Sequence, residues 1–158
     1  MKLRITIAAL ALAALFFTIG HLTAQSEKKM SDQTMQNLST AMHGEAFAYA
    51  KYQLFAAHAR KGGNVKLANM LESTAKTERF EHFAEEAKLA GVVGSDADNL
   101  KDAIQGESYE ATTMYREFSE QAEKDGDHQA ALRFEEIRKD EMKHRDAFAA
   151  QLQALENK

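Results

Sequence analysis

From residue 31 to 61 the chain sets Leu38, Met42, Tyr49, Tyr52, Ala56 and Ala59 at alternating steps of four and three, with Glu45 completing the series. That spacing lines one face of an α-helix. Lys61-Gly62-Gly63-Asn64 stops it, and Asn64 is placed to cap a second helix over about 65–90, whose stripe is Ala68, Leu71, Ala75, Glu78 and His82. Gly91-Val92-Val93-Gly94 breaks the pattern, and Ser95-x-x-Asp98 has the form of a capping box with Asp in the acidic place. A third helix carries Ile104, Glu107, Ala111, Met114 and Phe118. After the turn Asp125-Gly126-Asp127, a fourth carries Phe134, Ile137, Glu141, His144, Phe148 and Leu155. Four helices of this length predict an all-α fold, an antiparallel four-helix bundle over residues 25–158.

The two halves repeat. Gly44-Glu45 returns as Gly106-Glu107, an offset of 62 in the numbering, whereas Tyr52, Gly63 and Glu78 return as Tyr115, Gly126 and Glu141, an offset of 63. Each half is a helical hairpin with one Glu on each arm, so the duplication predicts a pseudo-twofold axis with four Glu gathered around it.

Composition narrows the chemistry. The 158 residues include no Cys, which excludes disulfides, iron–sulfur clusters, thiolate zinc sites and Cys nucleophiles. The net charge of −4, without a basic cluster, argues against nucleic acid as a partner. Lys2 and Arg4, the apolar run 5–19 and Leu22-Thr23-Ala24 read as a secretory signal peptide cleaved after Ala24. The run falls short of the roughly 20 residues that span a bilayer, so no membrane association is expected after cleavage. Only Lys2 and Arg4 of the 20 basic groups lie in residues 1–24, which hold no acid, so the processed chain keeps 18 basic and 24 acidic groups, net −6. Export, to a periplasm or beyond, is the natural reading.

Glu45, Glu78, Glu107 and Glu141 occupy stripe positions where a core calls for apolar side chains. A lone Glu on a helix is usually solvated, as Glu85, Glu120 and Glu135 read here, and a lone His such as His58 or His128 is usually structural. Four inward carboxylates at one level are different: each costs several kcal/mol unless neutralised or paired, and no inward Lys or Arg set matches them. Divalent or trivalent cations resolve the conflict. A Glu from each of two helices with Glu-x-x-His from the others is the ligand pattern of dimetal sites in bundles. Glu141-x-x-His144 fits that pattern on the fourth helix.

Asn37-Leu38-Ser39-Thr40-Ala41-Met42-His43-Gly44-Glu45 and, more specifically, Gly106-Glu107-Ser108-Tyr109-Glu110-Ala111-Thr112-Thr113-Met114-Tyr115 resemble the ligand segments of rubrerythrins, diiron proteins of the ferritin-like superfamily. The resemblance runs over about residues 35–155. It implies two iron ions, with Glu45 and Glu107 as terminal ligands, Glu78 and Glu141 as bridges and His144 on one iron. Glu110 would be the extra carboxylate that binds the other iron in the oxidised state, and Tyr52 and Tyr115 would donate hydrogen bonds to ligand carboxylates, unless both are plain core aromatics.

Two departures stand out. The four Cys of a rubredoxin-like iron centre are missing, which implies a stand-alone diiron module served by an external electron donor. The second helix reads Glu78-Arg79-Phe80-Glu81-His82, where the family's Glu-x-x-His would put His at 81. Either Glu81 replaces that His or His82 coordinates from one residue further. On an ideal helix the two lie roughly 60° and 40° to opposite sides of Glu78, and ungapped comparison favours Glu81.

The function implied is an exported peroxidase that reduces hydrogen peroxide at the diiron site. A ferroxidase or iron-handling protein using oxygen or peroxide, or a metal-free helical stress protein, is the alternative, and manganese suits the same donors. The link after the second helix is tight. Ala90 lies about 18 Å along the axis from Glu78, and residues 91–98 span at most about 27 Å. A later start to the third helix, or exchange of hairpins between two chains, would relax it, so a homodimer is expected.

Overall fold

The computed structural model describes residues 29–157, and the expected signal peptide at 1–24 lies outside them. The described residues are helical with no strand: α1 (Asp32–Lys61), α2 (Val65–Thr77), α3 (Phe83–Ala90), α4 (Asp96–Tyr109), α5 (Tyr115–Asp125) and α6 (His128–Glu156). Two π-helical turns, Glu78–His82 and Glu110–Met114, join α2 to α3 and α4 to α5 without a break. The described residues therefore run as four rods, as the stripes require.

The ends follow from side-chain chemistry. Ser31, Asn64 and Ser95 cap α1, α2 and α4 by accepting from the backbone N–H of Thr34, Leu67 and Asp98 at 3.2, 3.3 and 3.2 Å. The Ser95 hydroxyl also donates to Asp98 Oδ2 at 2.6 Å, completing the box. Gly91 (φ 66°) and Gly126 (φ 82°) take the left-handed conformation that closes α3 and α5 and turns the chain into the next rod.

The rods pair as two hairpins. α1 packs along α2, the first π turn and α3, and α6 packs along α4, the second π turn and α5. Among the described residues no helix of one hairpin packs on a helix of the other, so a single chain does not close the expected bundle. α4 begins directly after the short link 91–95, so a late start does not relax the connection. The seams within the hairpins are built from small residues. Ala56, Ala59, Ala68, Ala75, Ala87, Ala111, Ala122 and Ala131 are buried, and no large side chain among the described residues is fully buried. Five of these lie on the expected stripes. Phe118, also expected to face inward, stays 46% exposed although the Phe134 ring of its own hairpin lies 5.6 Å away.

Candidate metal centre

In the first hairpin, α1 supplies Glu45 and the π turn supplies Glu78 and His82. In the second, α4 supplies Glu107 and α6 supplies Glu141 and His144. Each trio presents ligand atoms that all lie within 4.8 Å of one another. His82 Nδ1 is 2.8 Å from Glu78 Oε2 and 3.8 Å from Glu45 Oε2. His144 Nδ1 is 2.8 Å from Glu141 Oε2 and 3.6 Å from Glu107 Oε2. The matching geometry makes the trios counterparts. Side-chain exposure is graded alike: 14% and 13% for Glu78 and Glu141, against 26% and 22% for Glu45 and Glu107.

The structure brings His82, not Glu81, to the first trio, and Glu81 is exposed. The cause is the π turn, in which the Phe83 N–H bonds to the Glu78 carbonyl, five residues back. Such a turn holds more residues than an α-turn. The fourth residue after Glu78 therefore falls just short of one revolution, the side on which the third residue falls in the regular helix α6. Glu-x-x-x-His on a π turn thus reproduces Glu-x-x-His on an α-helix.

The electrostatics carry the mark of missing positive charge. A hydrogen bond to Glu78, then desolvation and the charge of Glu78, raise the Glu45 pKa above its ordinary value. Desolvation, then a hydrogen bond to Glu141 and its charge, raise that of Glu107. Desolvation opposes charge on His82, but the hydrogen bond to Glu78 and the charges of Glu78, Glu45 and Glu81 outweigh it and its pKa rises. The hydrogen bond to Glu141, opposed by desolvation and aided by the charges of Glu107, Glu141 and Asp140, raises that of His144. Glu107 Oε2 is buried without a hydrogen-bond partner. Each trio thus holds two crowded carboxylates whose nearest basic side chain is an imidazole. Hard oxygen donors with one imidazole, and a shielded oxygen left unpartnered, fit a ferrous, ferric or manganous ion.

A family model described as "Rubrerythrin" matches residues 36–152. The chain belongs to the rubrerythrin family. It is 33% identical to a rubrerythrin of Porphyromonas gingivalis over 85% of this chain and 74% of that protein. It is 32% identical to a putative rubrerythrin of Methanocaldococcus jannaschii over 78% and 71% of the respective chains. With nigerythrin of Nitratidesulfovibrio vulgaris it shares 31% over 74% and 64%. The structure of fully reduced, all-ferrous nigerythrin aligns with 99% of this chain and 81% of its own at 28% identity and a TM-score of 0.41. Membership and the two trios make this a diiron-type protein.

The remaining expected site residues have definite places. Glu110 opens the second π turn and is half-buried. Its charge bears on Glu107 and Tyr115 but it is outside the trio. Tyr115 packs among Phe118 and Phe134 with ring centroids 6.2 Å away, and burial, then the charges of Glu110, Glu141 and Glu107, raise its pKa. Tyr52 packs on Phe55, with the Lys51 ammonium 5.5 Å over its ring. Neither hydroxyl is hydrogen-bonded to a carboxylate of its own chain among the described residues. Sequence reasoning passed over Glu86, one of three charged residues on α3, whose Oε2 is buried without a hydrogen-bond partner. The signal available was its spacing, four residues after His82 and eight after Glu78.

Proposed function

We propose that this chain is an exported rubrerythrin-type peroxidase that reduces hydrogen peroxide to two waters with two protons and two electrons from an external donor. The observation that carries the reading is the pair of Glu-Glu-His trios. A bound iron pair supplies the two reducing equivalents. Glu45, Glu78 and His82 would hold one ion and Glu107, Glu141 and His144 the other, each His through Nδ1. The neighbouring carboxylates fix each imidazole. Glu110 would be the extra carboxylate that answers a change of charge at one ion, with His144 on the other. The Tyr115 hydroxyl, its pKa raised beside three carboxylates, keeps its proton and serves as a hydrogen-bond donor.

The complete centre needs both trios, and one chain keeps its hairpins apart. We therefore propose a homodimer in which the first hairpin of one chain closes on the second hairpin of its partner. Among the described residues the buried apolar side chains are all alanine and many large ones stay exposed, which supports that closure. The apolar run at 5–19 supports export.

The test is anaerobic reduction of the iron-loaded processed chain followed by peroxide, with an artificial donor in excess. Sustained peroxide loss matched to donor oxidised is expected. Stoichiometric ferrous oxidation without turnover, releasing ferric ion or mineral, would instead mark an iron-handling protein. Less than one metal per chain after loading would remove the diiron reading. Light scattering that shows a strict monomer with full metal content would remove the dimer. N-terminal sequencing of protein recovered outside the cytoplasm should begin at Gln25.

A further inference from the structure

Outside the trios, one side-chain cluster of α6 takes no part in the chemistry above. Glu135, Arg138 and Met142 follow one another at steps of three and four, which sets them on one face of the rod. Glu135 holds the Arg138 guanidinium as a fork: Nε donates to Glu135 Oε2 at 2.7 Å and Nη2 to Oε1 at 2.8 Å. With that plane fixed, the remaining nitrogen, Nη1, stands 3.8 Å from Met142 Sδ. Met142 is 36% exposed and follows Glu141 in the chain, but its side chain lies about 100° further round the rod. It is therefore a neighbour of the second trio and not a member of it.

A thioether is a weak acceptor, so a charged donor aimed at it gains little. A sulfoxide is polar, and its oxygen accepts from a guanidinium in a charge-assisted bond. The arrangement thus suits the oxidised side chain better than the reduced one. The repeat shows that the fold does not require it. At the offset that relates Glu78 to Glu141, the counterparts of Glu135, Arg138 and Met142 are Glu72, Ala75 and Arg79. The acid recurs, whereas the donor and the sulfur do not. Met70 supplies a contrast: at 56% it is more exposed, yet among the described residues it is the Met142 sulfur that receives a donor.

We infer that Met142 is a site of oxidation by hydrogen peroxide, with Arg138 Nη1 holding the oxygen that the sulfur gains. The sulfur attacks one peroxide oxygen, the O–O bond breaks and an S–O bond forms. The sulfur gives up two electrons, and the other oxygen leaves as water with both protons. The guanidinium stabilises the negative charge that develops on the transferred oxygen. Each sulfur reacts once until a reductant restores it, so the site takes one peroxide per chain, apart from any turnover at the metal centre. It needs peroxide and no metal, and so stands independently of the diiron reading.

The experiment treats the metal-free processed chain with hydrogen peroxide and follows Met142 and Met70 by peptide mass spectrometry. In the folded protein Met142 should oxidise faster than Met70 despite its lower exposure, and in urea the two rates should converge. Arg138→Gln should lower the folded Met142 rate roughly three- to tenfold, the worth of one hydrogen bond, with Met70 unchanged. Oxidation should leave the wild-type melting temperature level or raised, and should lower that of Arg138→Gln. Met142 reacting no faster than Met70 in the folded wild type overturns the inference, as does an Arg138→Gln rate equal to wild type. Should Arg138→Gln fail to fold, by circular dichroism, the folded and urea rates of the wild type decide: a Met142 to Met70 ratio that is the same in both states refutes it.

Discussion

Replacing His82 and Glu81 separately by Ala distinguishes the two ways of reading the second helix. The His82 side chain is 52% exposed, and its one close polar partner is Glu78, at 2.8 Å. Its removal opens no cavity, so the metal-free fold should shift within about 0.5 kcal/mol, as for other surface changes. Metal binding should respond differently. Losing a residue that merely supports a ligand costs roughly ten- to a hundredfold in affinity, and His82 is itself a proposed ligand, so that range is a floor. It corresponds to at least about 1.4–2.8 kcal/mol at one ion, with the ion at Glu107, Glu141 and His144 unaffected. Glu81 points to solvent and acts on His82 only through its charge. Its replacement should change affinity less than about threefold, as expected of exposed charge pairs. Calorimetric titration of each metal-free variant with Co(II) reads both stoichiometry and affinity, and circular dichroism checks the helices. If Glu81→Ala loses an ion while His82→Ala keeps two tight ones, the π-turn reasoning is wrong and the family spacing holds.

Glu141→Ala should abolish dimetal loading with helix content intact, since Ala is the best helix former; two tight metals in that variant, by metal analysis, would refute its bridging role. The metal-free protein should lose thermal stability as pH rises between about 5 and 8. Glu45 and Glu107, raised above 4.5, and His82 and His144, raised above 6.5, all hold protons more tightly folded than unfolded. Stability from the His residues is full below 6.5 and fades through their folded pKa values, and the two Glu become a growing cost above 4.5. Metal affinity should rise over the same window because binding displaces these protons, so a melting series with and without Co(II) should diverge with pH; parallel curves would count against the trios. Ser95→Ala removes the α4 cap and should cost about 1 kcal/mol in urea denaturation of the metal-free protein, with no change in metal stoichiometry.

The helices, their caps and four of the site carboxylates were legible because each rests on local chemistry. Asn64 and Ser95 cap where their short polar side chains stand just before an apolar stripe. Glu45, Glu78, Glu107 and Glu141 break those stripes at matching positions. Pairing of hairpins was not legible, because an apolar stripe shows that a face is covered and not which chain covers it. Phe118 and Met114 have the spacing of core residues whether the cover is the same chain or a second copy. The shielding of Glu86 was not legible for a related reason: on α3 it stands next to Glu85 and near Lys88, and only the packing of α1 against α3 shows that its oxygen is shielded while Glu85 is in water.

The choice between Glu81 and His82 was written in the repeat itself. From Glu45 to Tyr52 the offset between halves grows from 62 to 63, so the second half holds one extra residue in that stretch. From Glu78 to His82 it returns from 63 to 62, so the first half holds the extra residue there, provided that His82 and not Glu81 answers His144. An inserted residue in a helix must be absorbed by a wider turn or must rotate everything after it. The structure has two π turns, Glu110–Met114 and Glu78–His82, at the two places where the offset changes. Each absorbs one residue and restores the stripe beyond it. The first leaves Tyr115 on the stripe despite the added residue, and the second leaves His82 over the carboxylates of Glu78 and Glu45. Had Glu81 answered His144, the offset at that point would have stayed at 63 and no wide turn would have been required. A change that restores regular α-helix at 78–82, deletion of Phe80, should therefore move His82 to the Glu-x-x-His position and retain metal at the first trio. Loss of that metal in the shortened chain, with α6 and the second trio intact, would show that the π turn does more than carry the extra residue.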